Sequence, residues 1–191
     1  MITGRSKISQ SGPVVAFVPK QRRAGLFAGC EALMMERAAA STAAAFAADT
    51  PITPEASPDG AEILGNALES PVTLATNFSA RITGLIIPLQ TGACKFRVAS
   101  AGESEPWLSS DGSPAIKIKI ATVTGSMLYR KWSHINEAES QFVTLAAGRR
   151  CGFELRQWQR GGSTQLHVRW QLPGGTEERP IPAFRFALPD K

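Results

Sequence analysis

The chain has 191 residues, of which 21 are basic and 16 acidic, and its formal net charge is +5. The positive excess lies in residues 1–23, which hold five basic residues and no acid, so the rest of the chain is neutral. A nucleic-acid-binding domain needs a basic folded surface, and this distribution argues against one. No apolar run approaches the roughly 20 residues that span a bilayer, so no transmembrane segment is predicted.

The first 23 residues are predicted to form a flexible basic arm or a leader. In the leader interpretation, residues 20–23 are a basic n-region, residues 24–35 an apolar region and residues 45–47, Ala-Phe-Ala, a cleavage site. Glu36 and Arg37 interrupt the apolar stretch, which favours an arm that stays on the chain. Both interpretations stay open at this point.

Residues 24–48 are rich in alanine and predict a helix near residues 25–48. Four residues fall on one helical face at the spacing i, i+4, i+7 and i+8: Leu26, Cys30, Leu33 and Met34. Pro51 and Pro54 would end this helix, and residues 49–71 predict an irregular connection. The folded domain is therefore expected over residues 49–191.

From residue 78 onward apolar and polar residues alternate with a period of two, which predicts antiparallel strands with one buried face. The apolar members are Cys94, Phe96, Val98, Ile116, Ile118, Ile120, Cys151, Phe153, Leu155, Leu166, Val168, Trp170, Leu172, Phe184, Phe186 and Leu188. Turn sequences such as Gly161-Gly162 and Pro173-Gly174-Gly175 separate the strands. Short strands with regular turns predict a β-sandwich or barrel.

The strand sequences resemble those of PA14 domains. Residues 88–96 are similar to the family's Pro-x-x-Thr-Gly-x-Tyr-x-Phe hairpin, and residues 68–84 and 98–121 follow its pattern around that hairpin. Residues 145–150 and 166–182 resemble its Leu-x-Ala-Gly-Lys-Arg motif and its Leu-x-Val-x-Trp-x-x-Pro-Gly-Gly ending. The resemblance implies an all-β, antiparallel β-sandwich, used as an extracellular or cell-surface module that in some members binds glycans.

The resemblance also identifies a departure from the family. PA14 lectins hold Ca²⁺ with two consecutive aspartates, and these positions are Ala101 and Gly102 here. An acidic family position is Thr164, and two family tyrosines are Cys94 and Cys151. Because Ca²⁺ takes six to eight oxygen ligands, often from carboxylates, we expect neither a Ca²⁺ site nor another cofactor.

A weaker oxygen-rich site stays open as an alternative in the same loop region. The candidate ligand-binding residues are Ser100, Glu103, Glu105, Asp111, Trp158 and Thr164. By strand parity Trp158 faces away from Phe153 and Leu155, so it is either an exposed aromatic platform or packed under a loop. Trp107, Trp132 and Trp170 match family positions and are expected to pack inside the sandwich.

The cysteines and histidines of the chain are not predicted to be catalytic. Cys94 and Cys151 lie on the core side of their strands and are expected to be buried thiols, with a disulfide between them as the alternative. His134 and His167 are expected at the surface. No motif that combines a nucleophile, a base and an acid is present, so we predict that the chain is not an enzyme.

Two functional hypotheses follow. The first is an extracellular or cell-surface recognition module that binds a glycan or a protein surface. The second is a structural or assembly module, in which residues 1–23 dock on a neighbouring subunit.

Overall fold

The computed structural model describes residues 33–39, 60–70, 78–109, 116–125, 138–159, 161–162 and 164–188, and for residues 33–39 and 60–61 only the backbone. The strands are β1 (Leu33–Ala39), β2 (Gly60–Leu64), β3 (Phe78–Ile86), β4 (Gly92–Ser100), β5 (Glu103–Ser109), β6 (Lys117–Lys119), β7 (Val143–Leu145), β8 (Cys151–Gln159), β9 (Leu166–Gln171), β10 (Glu177–Glu178) and β11 (Phe186–Ala187). The basic arm at residues 1–23 lies outside the described residues. No helix in the described ranges is long and apolar enough to cross a membrane.

The strands form two antiparallel sheets. The larger sheet has the order β2-β1-β3-β8-β5-β6, and β11 pairs with β3 at its side. The smaller sheet has the order β10-β9-β4-β7. The predicted all-β antiparallel sandwich is therefore confirmed.

The N-terminal half of the larger sheet differs from the prediction. The expected helix is wrong for Leu33–Ala39, which form β1 and pair with β2 and β3. The rest of residues 24–48 lies outside the described residues. β2 forms within the predicted irregular connection, so the sheet includes residues on both sides of position 49. Local propensity favours a helix at alanine-rich residues, but pairing along β3 supplies backbone hydrogen bonds that outweigh this weak preference.

Four aromatic rings join the two sheets in the core. Phe96 of β4 lies 6.4 Å from Phe153 of β8 and 5.7 Å from Trp170 of β9, measured between ring centroids. Phe153 in turn meets the edge of Phe186 at 5.6 Å. The core position expected for Trp170 is confirmed, whereas Trp132 lies outside the described residues.

Trp107 was expected to pack inside the sandwich, but the structure places it outside the core. Its neighbours along β5, Pro106 and Leu108, are buried, whereas Trp107 is half-buried on the outer face of the larger sheet. The Arg156 guanidinium lies 5.0 Å from its ring centroid. The register explains this position, because Trp107 is opposite Glu154 rather than a core residue.

Two expectations about burial fail at the margins of the sandwich. Ile116 and Ile118 are 69% and 63% exposed. β6 is the edge strand of the larger sheet, and its Ile118 is exposed although its partner on β5, Leu108, is buried. Phe184 is 52% exposed while Arg185 is buried, because Ala183–Arg185 form a 3-10 turn rather than a strand. A three-residue period orients neighbouring side chains differently from a period of two.

His167 is buried and not at the surface as expected, while His134 lies outside the described residues. Residues 67–70 run across β9, where the Val168 amide donates to the Leu68 carbonyl at 3.1 Å and the Ser70 amide to the Leu166 carbonyl at 2.9 Å. The same segment places Glu69 Oε1 3.2 Å from His167 Nδ1. Sequence periodicity could not show this cover, since it comes from a distant segment.

Cys94 and Cys151 are buried free thiols, as expected, so the disulfide alternative is wrong for this pair. Each sulfur lies near a carbonyl two residues earlier, at 4.0 Å from Gly92 O and 3.8 Å from Arg149 O. Burial raises the pKa of the Cys94 thiol to about 11. Cys30 lies outside the described residues.

Candidate functional site

The turn between β4 and β5 is where the family resemblance places the calcium-binding aspartates. It consists of Ala101 and Gly102 and is fixed by hydrogen bonds on both sides. The Ala101 amide donates to the Gln165 carbonyl at 2.8 Å. The Ser100 hydroxyl lies 3.1 Å from the Gly102 carbonyl and 2.9 Å from the Ser104 hydroxyl. Ser100 therefore stabilises the turn from behind rather than facing a ligand.

A buried glutamine of β8 occupies the space beneath this turn. Gln157 Nε2 donates to the Ala101 carbonyl at 2.9 Å and to the Gln165 carbonyl at 3.1 Å. Gln157 and Thr164 are both buried. The two carbonyl oxygens are thus bonded to a side-chain amide, a neutral donor that satisfies buried acceptors without a cation. The role of Gln157 was not predicted from the sequence, because only the fold brings β8 beneath the turn.

Gly102 excludes an aspartate at the second family position. Its φ is +83°, a left-handed conformation that a residue with a side chain rarely adopts. A Cβ at this position would overlap the Trp158 carbonyl oxygen and lie 2.7 Å from Gln159 Oε1. Neither Ala101 nor Gly102 offers a carboxylate, so the residues of this turn do not fit the family's Ca²⁺ site. Within the described ranges, no cluster of three or more His, Cys, Asp or Glu residues could hold a metal ion.

A small depression opens beside the turn, with a volume of about 160 Å³. Its lining residues are Gly102, Glu103, Thr124, Gly125, Trp158, Gln159 and Gly161. Trp158 is only 5% exposed, so its side chain is packed and is not a free aromatic platform. Packing, the alternative interpretation, is therefore correct for Trp158.

Only Glu103 and Trp158 of the lining residues were predicted as site residues, and Thr124 and Gly125 come from an unexpected segment. Val123 pairs with Ser104, and the two residues exchange backbone hydrogen bonds of 2.8 and 3.0 Å. This pairing brings the segment after β6 to the start of β5. The sequence carries no signal for it, because an isolated bridge leaves no periodic pattern.

The predicted site residues divide into groups. Glu103 and Trp158 are opposite one another on β5 and β8 and line the depression together. Ser100 and Thr164 are buried. Glu105 is not among the lining residues and forms an ion pair of 2.9 Å with Lys119. Asp111 lies outside the described residues.

A charge network continues from Glu105 across the outer face of the larger sheet. Glu154 is buried and accepts hydrogen bonds from Lys117 and from Arg156 Nε, the latter at 2.6 Å. Burial opposes ionisation of this carboxyl, but the two cations outweigh it and hold its pKa below the usual range. This face is therefore occupied by paired charges that stabilise the sheet.

Comparison with known proteins agrees with the fold. The PA14 domain family model matches residues 40–183. A PA14 sugar-binding domain from an RTX adhesin is 17% identical with a TM-score of 0.57, covering 82% of this chain and 98% of that one. The Epithelial Adhesin 9 A domain from Candida glabrata, in complex with Galβ1-4GlcNAc, is 13% identical with a TM-score of 0.58, covering 83% and 90%.

A curated relative comes from Mus musculus. It is N-acetyl-beta-glucosaminyl-glycoprotein 4-beta-N-acetylgalactosaminyltransferase 1, which is 39% identical over 105 residues. The match covers 51% of this chain but spans only 10% of the relative. The family model covers about three quarters of the chain, and the two-sheet architecture agrees with it. The chain belongs to the PA14 domain family.

Proposed function

We propose that this chain is a non-catalytic recognition module that binds carbohydrate without Ca²⁺. The observation that carries the proposal is the depression beside the β4–β5 turn, lined by Glu103, Thr124 and Trp158. It brings a carboxylate, a hydroxyl and a tryptophan residue together in one concave surface. Such a combination suits a ligand that carries several hydroxyl groups, because the carboxylate accepts hydrogen bonds and the threonine hydroxyl both donates and accepts them.

The solved neighbours support the choice of ligand class. One is described as sugar-binding, and the other holds a disaccharide of galactose and N-acetylglucosamine. The mouse relative is named as a glycosyltransferase, but this chain spans a tenth of it. We therefore assign recognition, not glycosyl transfer, to the shared domain. An extracellular or cell-surface location is part of this proposal.

The proposal of calcium independence has its own support. Gln157 donates hydrogen bonds to the turn, and Gly102 leaves no room for a side chain. Binding that depends on the depression should therefore persist when a chelator removes divalent cations. The depression offers one carboxylate, that of Glu103, whereas Ca²⁺ takes six to eight oxygen ligands.

The test is a glycan array probed with and without a chelator. Glu103→Gln removes the carboxylate of the depression and keeps its size. Glu105→Gln is the matched control, two residues along the same strand and paired with Lys119. We expect chelator-resistant binding that falls at least about tenfold in Glu103→Gln, because hydrogen bonds to a charged group contribute about 1.5–3 kcal/mol, and that changes less than about twofold in Glu105→Gln.

Three results would contradict the proposal: binding to no glycan, binding that requires Ca²⁺, or equal effects of both substitutions. An assembly role for residues 1–23 stays a prediction, because that arm lies outside the described residues. Light scattering of the full chain and of a chain that begins at Ala24, which keeps β1, tests it. Equal monomer masses would count against it.

A further inference from the structure

The outer face of the smaller sheet carries two arginines directly opposite each other. Arg97 of β4 and Arg169 of β9 are partners in the antiparallel ladder. Side chains at such positions lie about 5 Å apart at Cβ, and like charges there repel. Lys95 lies on the same side of β4, and Arg179 joins Arg169 at a shared carboxylate. Four cations therefore meet on one face.

Two carboxylates balance these cations only in part. Glu139 pairs with both Lys95 and Arg97. Glu177 pairs with both Arg169 and Arg179. Four cations and two carboxylates leave a formal charge of +2 on the cluster. Glu69, opposite the buried His167 two residues before Arg169 on β9, adds one further carboxylate beside the cluster.

Partial burial and neighbouring positive charges lower the pKa values of two of these arginines. Burial, and then the charges of Arg97 and Arg179, lower the pKa of Arg169 to about 10. Burial and Arg179 also lower the pKa of Arg97. An anion placed above the cluster would relieve this repulsion. Solvent reaches the cluster mainly at Arg179, whose side chain is 53% exposed, whereas the side chain of Arg169 is 11% exposed.

An exposed ring lies next to the cations. Phe142 is 60% exposed, and Lys95 Nζ lies 4.8 Å from its centroid. Guanidinium groups bind carboxylates and sulfates through two parallel hydrogen bonds. A ligand that carries an anion on a ring with an apolar C–H face would use both features, and a sugar with a carboxylate or a sulfate ester has this form. A polyglutamate chain has the charge but no ring to place against Phe142.

We propose that this arginine face, formed by Lys95, Arg97, Arg169, Arg179 and Phe142, binds the anionic group of an acidic glycan. The site belongs to the smaller sheet, whereas the depression is lined by residues of β5, β8 and neighbouring loops. The choice of a carbohydrate ligand rests on the proposed function, whereas the location of the site does not depend on it. Its ligand is a uronate carboxylate or a sulfate ester on a sugar ring.

The experiment measures affinity by titration calorimetry with four ligands: a sulfated oligosaccharide, an oligogalacturonate, a neutral oligosaccharide and polyglutamate of matched charge. Arg179→Gln removes the most exposed of the three guanidinium groups on the arginine face. Lys119→Gln is the control, since it removes the same charge from the outer face of the other sheet. Thermal unfolding of each variant confirms that it folds, and Lys95→Gln provides a second variant at the site.

We expect the sulfated or the uronate oligosaccharide to bind more tightly than the other two ligands. Affinity should fall about tenfold in Arg179→Gln, as expected for loss of a charged hydrogen bond, and less than twofold in Lys119→Gln. The proposal is overturned if neither acidic oligosaccharide binds, if polyglutamate binds as tightly, or if Lys119→Gln weakens binding equally.

Glu103→Gln distinguishes this proposal from the proposed function. If Glu103→Gln abolishes glycan binding while acidic and neutral glycans bind alike, the depression is the site and the arginine face fails. If Arg179→Gln weakens acidic-glycan binding and Glu103→Gln changes nothing, the arginine face is supported and the depression fails.

Discussion

Substitutions at Gly102 test whether the β4–β5 turn has room for a side chain. Gly102→Ala adds a single methyl group to a residue with φ of +83°. That methyl would meet the backbone carbonyl of Trp158, which belongs to the β8 ladder and cannot rotate away. Gly102→Asp adds the same Cβ together with the carboxylate that the family has there.

The expected loss of stability has two parts. A left-handed conformation costs a residue with a side chain about 1–2 kcal/mol, and forcing extra volume into a packed site costs about 1–3 kcal/mol. We therefore expect Gly102→Ala to lower the free energy of unfolding by about 3 kcal/mol. For a chain of this length each kcal/mol corresponds to about 2–4 °C in Tm, so the expected decrease is roughly 6–12 °C.

Two other glycines separate these parts. Gly148 has φ of +70° but open space at its Cβ, so Gly148→Ala should lose only the conformational part, about 1 kcal/mol. Gly65 has open space and no left-handed φ, and Gly65→Ala should change stability by less than about 0.5 kcal/mol. Urea unfolding measures all three variants. If Gly102→Ala is no less stable than Gly148→Ala, the overlap with β8 is refuted. Added Ca²⁺ should not restore Gly102→Asp.

Three further predictions concern the core and the ion pairs. Phe96→Ala should lower the free energy of unfolding by about 3–5 kcal/mol, against less than about 0.5 kcal/mol for the exposed Phe142→Ala; similar losses in urea unfolding would contradict the assigned core. Glu154→Gln should cost about 2 kcal/mol at pH 7, because Lys117 and Arg156 lose their shared carboxylate. Since the pKa of Glu154 is lowered in the fold, its contribution is present above the unfolded pKa of about 4.3 and is lost as pH falls through the folded value. The gap between wild type and variant should therefore shrink as pH falls below the unfolded pKa, and a constant gap would count against ionisation of Glu154. In a Cys30→Ser background, Cys94 and Cys151 should react with a thiol reagent at pH 8 only after unfolding, because both are buried and the pKa of Cys94 is about 11; rapid reaction of either thiol in the folded protein would disprove its burial.

The sequence predicts the strands of the sandwich core because their period is set by local geometry. Phe96, Phe153 and Trp170 fall on the buried side of their strands, as alternation requires. β1 was missed because its residues favour a helix locally and become a strand only by pairing with β3. Long-range pairing is a tertiary effect, so no local pattern announces it.

The sequence predicts a property of the candidate site only where that property depends on the residue type alone and not on its neighbours in the fold. Ala101 and Gly102 lack carboxylates, and the sequence alone shows this. Gln157 is 56 residues from Ala101 and donates to its carbonyl, so only the folded chain reveals that a neutral amide fills the turn. The arginine face is hidden for the same reason, since the register of β4 against β9 decides that Arg97 meets Arg169.

The β4–β5 turn and the arginine face differ in how their polar groups are paired. At the turn, the carbonyl oxygens of Ala101 and Gln165 accept hydrogen bonds from the neutral Gln157 amide, so this pairing leaves no net charge for a ligand to neutralise. On the smaller sheet, each of two carboxylates is shared by two cations, which leaves positive charge on a face that includes the exposed Arg179. Charge complementarity is worth most where the protein has not already supplied the counter-charge. An anionic ligand therefore gains more at the arginine face than a cation could gain at the turn.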